Sequence, residues 1–407
     1  MLTESENKML TEVGPATPMG AFMREYWVPI MRSGRVVAGA PPLRWTILGE
    51  PLVVFRSPGG AVGVMDEACP HRGASMALAR NEECGLRCIY HGWQVNAAGM
   101  LVDAPTYPAS VEVGHIKTRS HPVRESQGMI WTWLGKGEPP QFPSLAFTGL
   151  PDDHVLATTA VLNCNWLHPL ETLWDVFHSQ ILHNKTNRSS ARAKDYFSAS
   201  GRKSGDLEFD YPTMRASRTS YGFTYTNSDA AKETNFHFVA PFIQFHTSTP
   251  GVKDDRVLQI SVPIDDDHTL LWLIFYNRFA PLRTGGIGET MRSLPDLDDF
   301  LHGMGERGPD NLWGQDRAAM ERGESFAGIV GMDRMTILAE DVCVIESQGR
   351  LDRTREMLTP IDRAVVEGRA TLLDAVRAHQ RGEPPIGRDE DLSEVEALFV
   401  SRLQEAG

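Results

Sequence analysis

Two short loops decide most of what this chain can become. The first reads Cys69-Pro70-His71-Arg72-Gly73, and with sixteen residues between His71 and Cys88 the second reads Cys88-Ile89-Tyr90-His91-Gly92-Trp93. Each offers one thiolate and one imidazole, and four such ligands can close a tetrahedral zinc site or hold an iron–sulfur cluster. Ligand order separates the two. Zinc fingers normally pair Cys with Cys and His with His, whereas here each loop supplies one of each. That order suits a two-iron cluster in which one iron takes both sulfurs and the other both imidazoles. Pro and Gly fall where the loops must turn tightly and present backbone N–H groups to sulfur. Cys84, four residues before Cys88, reads as a loop thiol, and a zinc knuckle is the alternative reading of the quartet.

At 407 residues the chain has room for two or three domains. Its formal net charge of −13 argues against a nucleic-acid partner, since phosphate binding needs a basic face. Three of the five cysteines (Cys84, Cys164, Cys343) are scattered outside the loops, which disfavours a disulfide framework and favours a reducing compartment. The N-terminal residues lack the basic-then-apolar pattern of a signal peptide, and the most hydrophobic run, Thr269 to Tyr276, is too short to span a bilayer. The expectation is a cytoplasmic protein with no membrane segment.

Taken in order, residues 1 to about 25 read as one or two short helices broken by Pro15 and Pro18. Strand-like runs follow at Trp27–Met31, Arg44–Leu48, Leu52–Arg56, Ala61–Asp66 and Gly128–Leu134, as expected of a small all-β module holding the Cys/His loops. The stiff stretch Gly137 to Pro143 is the best boundary, dividing residues 1–145 from 146–407. Beyond it come a strand at His154–Leu162, a helical run from about Trp166, and alternation between 205 and 280. Val257–Pro263 and Thr269–Asn277 read as one antiparallel hairpin. Residues 281–334 are loop-rich, with a helical patch near 314–322. A helical period returns from Met335 to Gly382, and a short amphipathic tail, Leu392–Leu403, ends the chain.

The helical run near 166 carries Glu171, Asp175, His178 and His183. At i, i+4 and i+7 the first three share a helix face. His183 follows His178 by five residues, about 140° around a regular helix. For both imidazoles to reach one metal, the helix must bulge or end between them.

Together these motifs resemble the terminal oxygenase (alpha) subunits of Rieske non-haem iron oxygenases, aromatic ring-hydroxylating enzymes, and the phthalate dioxygenase branch in particular. Gly14-Pro15-Ala16-Thr17-Pro18-Met19-Gly20, Asn165-Trp166, Gln315-Asp316-Arg317 and Glu340-Asp341 are further marks of that branch. The resemblance implies an α+β protein: an N-terminal all-β Rieske [2Fe-2S] domain, then a helix-grip-like catalytic domain with an antiparallel sheet and covering helices. It implies that Cys69, His71, Cys88 and His91 hold the cluster, and that His178, His183 and Asp341 hold a mononuclear Fe(II), with Glu340 the rival ligand to Asp341. Such a triad leaves positions open for O₂ and substrate. It also implies that Asp175 accepts hydrogen bonds from His178 and from His91 of a second chain, in a homotrimer or stacked trimers. Electrons from NADH would arrive through a separate flavin/iron–sulfur reductase.

For the substrate, the resemblance implies a small aromatic molecule, with cis-dihydroxylation of an aromatic carboxylate as the main expectation. O-demethylation, angular cleavage of an aryl ether and a pure electron carrier are the alternatives. Val176, Asn235, His237 and His246 are candidate contacts, and Arg202, Arg215 and Arg218 are candidates for a carboxylate clamp. The stretch Lys232 to Phe238 contains no arginine, which weakens the case for a phthalate-type diacid pocket.

Overall fold

The structure is a computed structural model that describes residues 1–108, 110–183, 213–228, 232–246, 255–282, 291–330 and 336–401. Helices α1 (Glu4–Thr11) and α2 (Pro18–Met23) open the chain. Pro18 is the first residue of α2 and does not break it, because its missing N–H would be unpaired there anyway.

The N-terminal unit is built of small antiparallel sheets. Leu43–Ile47, Glu50–Arg56 and Val62–Asp66 form one; Arg80–Glu82, Gly85–Arg87, Gln94–Val95 and Leu101–Asp103 form another. The second Cys/His loop is the connection between paired strands Gly85–Arg87 and Gln94–Val95, so its two ends are held in register. Beneath both loops lies a compact core of Val53, Phe55, Met65, Met76, Leu86, Trp93 and Leu101, which takes in the two cysteines.

The second unit is an eight-stranded antiparallel sheet. Its strand order is Val155–Leu162, Thr269–Tyr276, Arg256–Pro263, Ile243–His246, Lys232–Val239, Gly222–Ser228, Thr213–Arg218, with Leu398–Ser401 pairing against Lys232–Val239. That last strand corrects the expected amphipathic tail: backbone pairing with an open stretch of a neighbouring strand captures it, and residues 402–403 lie outside the described region. Every residue of Thr269–Tyr276 is buried, because the strand has a core on each face. Leu270, Trp272, Ile274 and Tyr276 join the main core, while Leu271, Leu273 and Phe275 join a second one. A two-sided strand reads as an unbroken apolar run.

Helix α3 (Leu167–Trp174), the short α4 (His178–Ile181), α5 (Arg317–Glu321), α6 (Thr336–Ser347) and α7 (Arg363–Gln380) complete the described helices. The helical run expected from Trp166 is therefore two helices, broken at Asp175 (φ −90°, ψ 89°). The units are stitched to each other: Leu48 N–H donates to Pro263 O (2.9 Å), Gly49 N–H to Ile264 O (2.8 Å) and Trp272 Nε1 to Pro29 O (3.0 Å). Among the described residues no helix is long and apolar enough to cross a membrane.

Candidate metal centres

The two Cys/His loops close in the same way. Gly73 N–H donates to Cys69 O (2.9 Å) and Gly92 N–H to Cys88 O (3.0 Å); Cys69 N–H reaches Ala74 O and Cys88 N–H reaches Trp93 O, each at 2.8 Å. Gly73 and Gly92 sit at φ +74° and +75°, a conformation that favours glycine. Both sulfurs are buried, and the His71 and His91 rings lie 4.5 Å apart at 74°. The His71 ring stacks on Trp93 at 4.6 Å, and Trp93 is pinned by its indole N–H to Thr106 Oγ1 (2.7 Å). Burial pushes the Cys69 thiol up, and the Cys88 sulfur beside it adds to that.

Two observations bear on what the quartet fits. His71 Nδ1 is buried with no hydrogen-bond partner, as a ligand atom would be. Ligand atoms on one zinc ion would all crowd within about 4 Å of each other at normal bond lengths. Among the described residues, however, the trio whose ligand atoms come within 4.8 Å of one another is His178, His183 and Asp341, not three members of the quartet. A two-iron cluster fits the loops better than a single ion.

That other trio is assembled by the break after α3. Leu167, Leu170 and Trp174 anchor α3 to the sheet, where Trp174 meets Phe238 edge-on at 5.1 Å and donates to Gln244 Oε1 (3.1 Å). Tyr225 OH donates to Leu173 O (2.7 Å), satisfying a carbonyl of the last turn. Asp175 then turns the chain, its Oδ1 accepting from Phe177 N–H (2.9 Å) and His178 N–H (3.4 Å), which starts α4. Helix α4 ends at Ile181, so the helix does end before His183.

Each histidine has its Nδ1 held by an acceptor: Asp175 O for His178, and Glu340 Oε2 for His183 at 2.8 Å. A carbonyl or carboxylate can only accept, so each Nδ1 carries a proton, which leaves Nε2 as the nitrogen that can ligate once it has none. The two Nε2 atoms lie 3.3 and 3.0 Å from Asp341 Oδ1. That oxygen is buried and makes a hydrogen bond with neither. Two imidazoles and one carboxylate converging on a point could hold a metal that prefers mixed N and O ligands. Burial alone would lower the His183 pKa, but its contacts with Asp341 and Glu340 outweigh this and raise it to about 9. Asp341, which burial would raise, is brought down to about 2 by the same rings.

Several expected residues stand elsewhere. Glu340 is not a rival ligand: it is fully buried and spent on His183 Nδ1. Asp175 was expected to hold the His178 ring with its carboxylate, yet its backbone oxygen does so, while Oδ2 is 3.8 Å away. Val176 packs against the main core. Phe236 meets His246 (6.2 Å between rings) on the sheet face where Phe238 meets Trp174 of α3, near enough for His246 to feel the charges of Asp341 and His178; burial lowers its pKa to about 4. Asn235 and His237 alternate with Phe236 along their strand and point to the other face, where His237 Nδ1 meets Tyr221 OH at 2.7 Å. Arg215, in register across Thr226 with Asn235, shares that far face and is exposed. Arg218 is tied to Glu367 and Asp374 of α7, both at 2.7 Å. Arg202 lies outside the described residues.

Sequence reasoning missed three features. They are the Trp93 platform, the support of His183 by Glu340, and a buried ion network in which Glu171 binds Arg369 (2.6 Å) and Arg353 (2.7 Å). Only the first had a local signal, the Trp93 next to the loop glycine.

Residues 26–120 match the Rieske [2Fe-2S] domain, and residues 132–400 match a model described as LigXa C-terminal domain like. The 3-chlorobenzoate-3,4-dioxygenase oxygenase subunit of Comamonas testosteroni is 33% identical over 420 residues, covering 96% of this chain and 92% of that protein. The phthalate 4,5-dioxygenase oxygenase subunit of Pseudomonas putida is 35% identical over 418 residues, covering 96% and 90%. Among solved structures, the terminal oxygenase of carbazole 1,9a-dioxygenase from Novosphingobium sp. KA1 superposes with a TM-score of 0.60 at 19% identity, covering 88% of this chain and 94% of that one.

Proposed function

Since the chain belongs to the Rieske terminal oxygenases, enzymes that carry a Rieske [2Fe-2S] cluster and a mononuclear iron, we propose that it hydroxylates a small aromatic carboxylate, by cis-dihydroxylation of the ring. Cys69 and Cys88 would hold one iron of the cluster, His71 and His91 the other, and His178, His183 and Asp341 the mononuclear Fe(II). We place the division between the two units at 145/146. When bound, the cluster relays electrons and the mononuclear iron activates O₂ toward the ring.

The chain's own residues prepare that chemistry. Glu340 and the Asp175 carbonyl fix both rings with Nε2 toward Asp341. His246, kept neutral by burial, offers the substrate side one polar group beside the Phe236 ring. The relatives named for chlorobenzoate and phthalate support an aromatic carboxylate. With Arg215 on the far face and Arg218 tied to α7, Arg202 is the arginine left to test for its recognition. The relatives are named as oxygenase subunits, which supports a separate NADH-dependent reductase as electron donor. We further propose a cytoplasmic trimer, or two stacked trimers, in which the cluster of one chain serves the iron of the next.

The observation that carries this reading is the convergence of two imidazole Nε2 atoms, each with its Nδ1 held from behind, on a buried carboxylate oxygen that lacks a hydrogen bond. The test is metal analysis beside a substrate panel of benzoates, phthalate isomers, methoxybenzoates and phenoxybenzoates, scored by NADH and O₂ consumption with product identification. About three irons per chain and a ring diol are expected. A demethylated or ether-cleaved product would replace the dihydroxylation, and about two irons with no product would make the chain an electron carrier.

A further inference from the structure

On the side of α3 that bears Asp175, a cleft of about 210 Å³ has walls that include His168, Asp175, His178, Gln348 and Leu358. His168 is 1% exposed, and neither ring nitrogen makes a hydrogen bond. The nearby Asn165 carbonyl already accepts the His168 backbone N–H at 3.0 Å. Buried polar groups of native proteins find a partner in protein or in water. At roughly 30 Å³ per water the cleft has space for several.

The charges around it argue for water over an anion. Arg353 and Arg369 are both taken by Glu171, and Arg369 also by Glu356, so the four groups balance. Asp175, Asp341 and Asp362 are the other acids in the wall. Burial lowers the His168 pKa to about 4, so the ring stays neutral with one donor and one acceptor to offer.

We propose that this cleft holds a file of ordered water leading to Asp175 and His178, positioned by His168, and that it delivers the protons of the oxygenase reaction. The proposal rests on His178 being an iron ligand. Adding both oxygen atoms to a ring follows ArH + O₂ + 2 e⁻ + 2 H⁺ → diol, with no leaving group. Inserting one atom uses the same electrons and protons and releases the other oxygen as water. The electrons come from NADH through the reductase; the two protons come from solvent and need a polar approach. Toward the sheet, the surroundings are Phe236, the neutral His246 and the main core, whereas the cleft wall carries several polar and charged groups among its apolar ones.

Three variants of the holoenzyme, each assayed with its reductase, decide it. His168→Leu removes both nitrogens, His168→Gln restores a donor and an acceptor, and Leu358→Trp fills the cleft from another wall. The Leu and Trp variants are expected to keep about three irons and the wild-type EPR signal of the reduced cluster. Their single-turnover product formation should fall roughly 10–100-fold, with a larger solvent deuterium isotope effect. The Gln variant should recover most of the rate, and a crystal structure should show water at both His168 nitrogens. Wild-type rates and an unchanged isotope effect in both the Leu and Trp variants would overturn the proposal, as would a dry cleft. Should His168→Leu not fold, Leu358→Trp and the crystallographic waters still separate the two outcomes. An iron count near two in the wild type would instead overturn the iron reading itself.

Discussion

Glu340 and Asp341 are chain neighbours with different duties, one steadying an imidazole and the other converging on it. A carboxylate behind a ligand imidazole raises its basicity and fixes its ring, and losing it commonly costs 10–100-fold in metal affinity or activity. Glu340→Gln should therefore weaken iron binding by about that factor while leaving the cluster intact, measured by chelator competition and EPR. In the metal-free chain the proton on His183 is held up to about pH 9, and iron must displace it. An imidazolium cannot ligate, so apparent iron affinity should rise by up to about tenfold per pH unit towards pH 9 and then level off. Chelator competition at pH 7, 8 and 9 checks this; a flat profile would mean that His183 is already unprotonated. At Asp175 two roles can be separated. Asp175→Asn retains an oxygen for the Phe177 and His178 N–H groups but loses the charge, so both metals should stay while turnover falls by orders of magnitude. Asp175→Ala also loses the turn that starts α4, which costs about 1 kcal/mol and should lower iron occupancy.

At the scale of elements, the end of α3 is set by packing from α7. A methyl group on Gly368 would meet the Trp174 ring at 2.5 Å, so Gly368→Ala must push Trp174 away from α7. Overpacking of this kind costs about 1–3 kcal/mol, and here it displaces the residue just before Asp175. A lower melting temperature together with lost mononuclear iron is expected, with the cluster spectrum unchanged. Much of the architecture was legible for a plain reason. Thr269–Tyr276 and Val155–Leu162 are apolar runs of strand length between polar turns, and the Cys/His loops carry their ligand order in a few residues. What stayed hidden was non-local. Nothing in Leu-Trp-Asp-Val-Phe announces a helix break, because Asp175 interrupts it with a side-chain turn. The pairing of His183 with Glu340 spans 157 positions. Arg215 and Arg218 could not be placed until strand register assigned them to opposite faces.

For the whole molecule, the tip beside the cluster exposes Ile89 (61%) and Tyr90 (56%), large apolar groups next to the loop histidines. In the proposed trimer this tip is covered by a second chain. Tyr90→Glu should leave the cluster EPR signal unchanged, reduce the trimer seen by light scattering and depress coupled turnover at least about tenfold. A monodisperse wild-type monomer with full activity would contradict the assembly. Rigidity between the units has a consequence of its own. Backbone bonds from Leu48 and Gly49 to Pro263 and Ile264, and the Trp272 indole on Pro29, nail the cluster-bearing unit to the central hairpin. A head so fastened is no pendulum. With each cluster fixed to its own chain, current to the next chain's iron in the proposed trimer should flow by tunnelling at a set distance, indifferent to glycerol or sucrose thick enough to slow a swinging arm.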